Sequence, residues 1–207
     1  MKHRIRTALL AVGVSTGLVL GAAPTAQAWS PTLAQILLAD RALDNAAGFD
    51  GFSLDFDIVT QAVLAFPDLT EAVSNRGSNL TVFLPTDQAF RATYYSLTGQ
   101  HISSEQALFT ALVNTLGLPA IKEVLTYHII NGARISYSTA LASDGAALTT
   151  LNGQTIEVDV VGSWWKRVVL IDKADTLRNP TVIVPNVRAA NGIAHAIDRV
   201  LLPTIAG

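Results

Sequence analysis

The hydrophobic period of this chain changes once, and that change restricts the folds open to it. Up to about Thr126 most apolar residues recur at helical spacing, and beyond it they alternate with polar ones. A helical half followed by a strand-rich half predicts an α+β domain whose sheet is built mainly from antiparallel neighbours. Half of the 207 residues are hydrophobic, enough apolar content to bury a core. There is no cysteine, so disulfides, thiolate chemistry and Cys-ligated metals are excluded and the core must hold unaided.

The N-terminus reads as an address. Basic Lys2, Arg4 and Arg6 precede an apolar stretch from Ala8 to Gly21, and Ala26-Gln27-Ala28 offers small residues for cleavage before Trp29. Gly13, Ser15, Thr16 and Gly17 dilute that stretch, which falls short of the ~20 apolar residues of a bilayer span. The expected organisation is a signal peptide over 1–28 and a single domain over 29–207, secreted and without a membrane span in the mature chain. Of 14 basic residues three leave with the leader, so 11 face 16 acidic ones and the net charge is near −5. Such a chain offers no basic field to a phosphate backbone, so no nucleic-acid partner is expected. The end of the chain, Leu201 to Gly207, is too short for a cleavable lipid-anchor signal.

The helical half divides at its breakers. Ser30 and Pro31 read as a cap and first helical position for Leu33, Ile36 and Leu37, and Gly48 to Gly51 is a break. Asp55 is the expected cap of a second helix carrying Val59 and Val63, and Pro67 restarts the chain. Thr81 to Leu84 is a short strand closed by Pro85, with Thr86 placed to cap the next helix. Ser103 and Gln106 form a capping-box pattern for a helix ended by Gly117 and Pro119, and a further helix runs from Ala120 into a strand over Tyr127 to Ile130. In the second half, Leu148 to Leu151, Asn152-Gly153, then Ile156, Val158 and Val160 make the strongest hairpin signal. Val168 to Ile171, Thr181 to Val184 and the alternation of Ile193, His195 and Ile197 supply further strands.

Three segments together resemble the fasciclin domain family. Thr81-Val82-Phe83-Leu84-Pro85-Thr86-Asp87-Gln88-Ala89-Phe90 resembles its first motif, and Leu125-Thr126-Tyr127-His128 its tyrosine–histidine motif. Asn191-Gly192-Ile193-Ala194-His195-Ala196-Ile197-Asp198-Arg199-Val200-Leu201-Leu202-Pro203 resembles the second motif, and the likeness spans about 32–204. The resemblance implies a β-wedge of about seven strands with an α-helical layer, and a cell-adhesion or extracellular matrix-binding role with a protein or polysaccharide partner and no cofactor. Two departures stand out. Where animal adhesion members carry an Asp-Ile pair read by integrins, this chain has Asn186 and Val187, which argues against integrin recognition there. The stretch from Asp172 to Pro180 also lengthens a strand connection.

No Gly-x-Ser-x-Gly elbow is present, and His101, His128 and His195 fall in no recognisable catalytic order, so no enzyme is expected. His195 reads as a half-buried histidine hydrogen-bonded to backbone or to a group from the first motif. For Tyr127 and His128, strand alternation sends one ring inward and one outward, so a packing pair and an adhesive site are both open. Trp164 and Trp165, beside Ser163 and Lys166-Arg167, sit between two strands: either one ring packs back over the sheet end, or the indoles anchor a protein, sugar or lipid surface. Asp40, Asp44, Asp50, Asp55 and Asp57 miss the spacing of a calcium loop and read as caps and solvated loop carboxylates, so no metal is expected. Asn79-Leu80-Thr81 is a formal glycosylation sequon. Asn191-Gly192 is expected to turn or bulge with positive φ. The alternative function is a carrier or sensor of a small apolar ligand held between helices and sheet, which requires a contiguous pocket of about 300 Å³ or more.

Overall fold

The computed structural model describes residues 30–41 and 48–205. The leader expected over 1–28, together with Trp29 and Asp44, lies outside those residues.

Three helices open the described chain: α1 (Leu33–Arg41), α2 (Asp57–Leu64) and α3 (Pro67–Ser74). α1 is capped not by Ser30 but by Thr32. The Gln35 N–H donates to Thr32 Oγ1 at 3.3 Å while the Thr32 N–H donates to Gln35 Oε1 at 2.9 Å. This reciprocal pair satisfies two amides at once, a stronger start than a lone serine. α2 likewise does not begin at an Asp55 cap: Phe56 occupies that position, and the Ile58 N–H donates instead to Asp87 Oδ1, from elsewhere in the fold, at 3.0 Å. Pro67 opens α3 as a proline should at a first helical position.

β1 (Leu80–Pro85) leads into α4 (Asp87–Thr98), whose N-cap Thr86 accepts the Ala89 N–H at 3.2 Å, as expected. α5 (Glu105–Tyr127) is capped by Ser104, one residue after the expected Ser103, and is broken at Gly117 (φ 75°, ψ 159°) just before Pro119. Tyr127 is the last residue of α5 and His128 its C-cap, so the expected strand starts only with β2 (Ile129–Asn131). The rest of the chain is α6 (Tyr137–Leu141), β3 (Ala147–Thr149), β4 (Thr155–Val161), β5 (Arg167–Ile171), β6 (Val182–Ala189) and β7 (Gly192–Ile197).

The seven strands form two sheets, β2-β1-β7-β6 and β3-β4-β5. All neighbours are antiparallel except β1 and β7, which run parallel with Leu80 to Pro85 opposite Gly192 to Ile197. Helices α1 to α5 cover one face of the four-stranded sheet, and the three-stranded sheet with α6 closes against the other, so β1 and β7 are buried on both faces. Leu80, Val82, Leu84 and Ala194 pack toward the helices, whereas Phe83 and Ile197 join Ile156, Val158, Val168 and Leu170 in the core between the sheets. The lengthened connection after β5 fastens the C-terminal segment: buried Asp172 accepts the Leu202 N–H at 2.8 Å and the Ala174 N–H at 2.9 Å.

Candidate functional site

The three motif segments meet at the middle of the four-stranded sheet. Phe83 of β1 lies opposite His195 of β7, their rings 5.9 Å apart and tilted, and the Phe83 N–H donates to the His128 carbonyl at 2.9 Å. Thr81 Oγ1 bridges the segment after β2, donating to Ala133 O and accepting from the Ile135 N–H, both at 2.8 Å. Tyr127 is fully buried with its hydroxyl donating to Thr155 O at 2.8 Å, which ties α5 to the three-stranded sheet. His128 is buried too, so neither ring of the pair faces water. The expected alternation fails because these two residues end a helix and do not lie in a strand.

Backbone partners settle the state of both buried imidazoles. The Leu201 N–H donates to His128 Nε2 at 3.0 Å, so Nδ1 carries the proton and donates to Val124 O at 2.7 Å. Burial lowers the His128 pKa to about 4, with the Val124 hydrogen bond opposing. His195 is the opposite tautomer: the Asn186 N–H donates to Nδ1 at 3.3 Å and Nε2–H donates to Ile135 O at 2.8 Å. Its pKa is also lowered by burial, against the hydrogen bond to Ile135. Each ring is neutral and has both nitrogens committed to backbone, an arrangement that braces strands and leaves no base facing a substrate.

Asn191 and Gly192 work by contact, not by an unusual φ. Neither has a positive φ, contrary to expectation. Asn191 is buried, accepting the Leu33 N–H at 2.9 Å and donating to Val73 O at 2.7 Å, so one amide ties α1 and α3 to the start of β7. A Cβ on Gly192 would lie 2.5 Å from Leu80 O and 3.0 Å from Leu33 Cδ1, so only glycine admits the close approach of β1. Asp198 accepts the Thr181 N–H at 2.7 Å and lies 3.3 Å from Arg178, joining the second motif to the chain entering β6. Phe90, Leu201 and Pro203 are buried supports of the same framework.

Sequence reading missed a buried group of carboxylates beneath the Gly48 to Asp57 loop. Asp55, Asp87 and Glu105 bring oxygens within 4.8 Å of one another, as do Asp50, Asp57 and Glu105. Asp57 is buried, not a solvated loop carboxylate, and Asp55, expected as a cap, is buried too. Their neighbours already answer much of the charge: Glu105 accepts from Arg91 at 2.8 Å and from the Gly51 N–H at 2.9 Å, and Asp57 accepts the Asp50 N–H at 2.9 Å. Burial pushes Asp87 up to about 7, opposed by hydrogen bonds from Asp55 and the Ile58 N–H. This group could hold a cation by distance alone, but its visible work is to fasten the loop, α2, α4 and α5 together. The signal available in sequence was weak, because the acids come from three separate segments.

The surface carries the remaining expected residues. Trp164 and Trp165 are 95% and 91% exposed at the β4–β5 turn, so neither ring packs back over the sheet. Asn186 is exposed with φ 62°, in the irregular stretch of β6 between Val184 and Val187, and its Oδ1 accepts the Tyr137 N–H at 2.9 Å. Val187 is half-buried against the helical core. Asn79 is exposed, its amide donating to Gly132 O and accepting from Arg134. Between helices and sheet, the apolar void bounded by Leu37, Val63, Val82 and Leu125 measures about 20 Å³, room for about one water and far below the pocket a carrier requires.

Comparison with known proteins agrees with this architecture. The family model for the fasciclin domain matches residues 55–203. Protein sll1483 of Synechocystis sp. is 30% identical over 94% of this chain and 96% of its own length. Periostin of Homo sapiens is 28% identical over 66% of this chain, which spans only 13% of periostin's length. A solved FAS1 domain pair from the insect cell adhesion molecule Fasciclin I superposes with a TM-score of 0.59 at 19% identity, covering 83% of this chain and 51% of the insect one. With the family model matched over most of its length and its three motif segments joined in one buried framework, the chain belongs to the fasciclin domain family.

Proposed function

We propose that this protein is an exported adhesion or interaction module, with no catalytic chemistry of its own, that recognises an extracellular protein or polysaccharide. The observation that carries the reading is membership of the fasciclin domain family, one solved member of which comes from a cell adhesion molecule. The leader-like segment over 1–28 and a single domain over 29–207 fit an exported module. The non-catalytic part is supported by His128 and His195, each neutral and held by backbone at both nitrogens. The small void argues against the carrier alternative. On this reading Tyr127 and His128 act from inside, holding α5, β1 and β2 in register, and contact with a partner falls to exposed positions such as the Asn186-Val187 bulge.

Binding of the purified exported form to its producing cells and to a panel of matrix proteins and polysaccharides tests this. Saturable binding to one component, reduced by Asn186→Asp, which keeps an acceptor for the Tyr137 N–H and tolerates the φ of 62°, in a variant that unfolds at the wild-type temperature, is the expected result. Absence of binding across the panel, together with an apolar molecule copurifying in native mass spectrometry, would replace the module with a carrier.

A further inference from the structure

The β4–β5 turn is built to present two indoles to something outside the protein. Gly162 to Arg167 is a run of six exposed residues. Below it, Val161 pairs with Arg167 and the buried Val158, Val168 and Leu170 root the hairpin in the core between the sheets. The turn has a fixed shape: Gly162 has φ 98°, and a Cβ there would lie 2.5 Å from the Trp165 carbonyl oxygen. A stiff stem carrying two nearly bare tryptophans loses little conformational freedom when the tip is buried.

Charge decides what the tip fits. Between Asp159 and Asp172 the charged residues are Lys166 and Arg167 alone, although the chain as a whole is acidic. Two carboxylates are set back along the stem, on Asp159 within β4 and on Asp144, whose Oδ1 accepts the Val160 N–H at 2.8 Å. A sugar platform pairs an aromatic face with amide or carboxylate acceptors for hydroxyls, and the tip has none. Its rings also lie open to solvent, whereas small-molecule sites are concave. Indoles that settle at a bilayer interface beside cations that meet anionic headgroups match both features. Two weak attractions acting together are what a reversible surface anchor requires.

We infer that Trp164, Trp165, Lys166 and Arg167 form a docking tip for an anionic lipid bilayer, by which the exported module is held at a membrane surface. This goes beyond the adhesive reading and shares with it only export, so the vesicle experiment and the matrix-protein and polysaccharide arms of the panel above fail independently. The exported form is sedimented with vesicles of phosphatidylglycerol and phosphatidylcholine in equal parts, and with phosphatidylcholine alone. Expected are binding to the anionic vesicles that weakens about tenfold or more in phosphatidylcholine or high salt, and a blue-shifted tryptophan emission. Trp164→Ala with Trp165→Ala should abolish the shift and lower binding about tenfold or more. Lys166→Ser with Arg167→Ser should erase the preference for anionic vesicles. All four side chains are exposed, so unchanged thermal unfolding is expected and serves as the folding control. Wild-type protein that stays unbound, a tryptophan variant that binds equally well, or a tip that is needed for a polysaccharide or protein and not for vesicles would each overturn the inference.

Discussion

Replacing Asn191 by alanine should cost about 2–6 kcal/mol, because two buried backbone groups each lose a partner worth about 1–3 kcal/mol. The groups are the Leu33 N–H, at the first residue of α1, and the Val73 carbonyl, near the end of α3. Both belong to helix termini, where no intrahelical partner is available. Against a total stability of ~5–15 kcal/mol for a domain of ordinary size, the loss is severe but can leave a folded state. Urea unfolding followed by circular dichroism should show a lower midpoint with an unchanged slope. Asn191→Asp separates the two bonds: a carboxylate still accepts from Leu33 but cannot donate to Val73 O, whereas the protonated acid can do both. Burial beside a carbonyl raises that acid's pKa, so its folded form gains stability as pH falls and loses it as pH rises. The aspartate variant should therefore recover stability relative to the alanine variant on acidification. A loss under about 1 kcal/mol for alanine, or aspartate and alanine variants that differ equally at every pH, would refute this account of the second motif.

Gly192→Ala should destabilise by about 1–3 kcal/mol or more through the clash with Leu80 O, since the β1–β7 ladder must part to admit a methyl; an unchanged urea midpoint would show that the ladder yields freely. Thr86→Ala should cost about 1 kcal/mol, the usual worth of a lost N-cap, measured in the same way. Asp87, with its folded pKa raised to about 7, contributes stability that is present below the ordinary carboxylate range and lost as pH rises through about 7. Asp87→Asn keeps the acceptor for Ile58 and removes this loss, so the variant should gain on wild type between pH 4 and 8; a difference that stays constant with pH would count against a buried, protonated Asp87. His128 works in the opposite sense: with its folded pKa lowered to about 4, its contribution is intact above the unfolded histidine value of about 6.5 and disappears as pH falls toward 4. Wild-type stability should therefore fall on acidification through that window more gently than His128 alone would dictate.

Local grammar was legible where one residue type has one use. Thr86 at a cap, Gly117 with Pro119 as a break, and the Asn152-Gly153 hairpin needed only their neighbours to be read. Reading failed where a distant partner decides the outcome. Asp55 looked like a cap because nothing in its own segment announces that Asp87 supplies the acceptor for α2. Asn191-Gly192 looked like a turn because the dipeptide is permissive; Leu33, Val73 and Leu80 give it a different task. Tyr127 and His128 looked like strand residues because two β-branched isoleucines follow them, and the helix extends further than composition suggested. The exposure of both tryptophans was one of two open readings, and the fold, which leaves both rings bare at the β4–β5 turn, decides between them.

The segments that mark the family are the ones this fold hides. β1 and β7 are buried along their whole lengths, Tyr127 and His128 lie beneath the surface, and Asn191 is spent on two helix ends. Residues in such positions specify which strands meet and in what register. Parallel pairing of β1 with β7 joins two parts of the chain separated by about half its length. It follows that family membership constrains architecture strongly and partner choice hardly at all. On the proposed reading, partner choice falls to exposed positions, among them the irregular Asn186 in β6 and the bare indoles after β4. Swapping the exposed indoles should redirect binding without disturbing stability, whereas any change to the buried motif residues should alter stability first and binding only as a consequence.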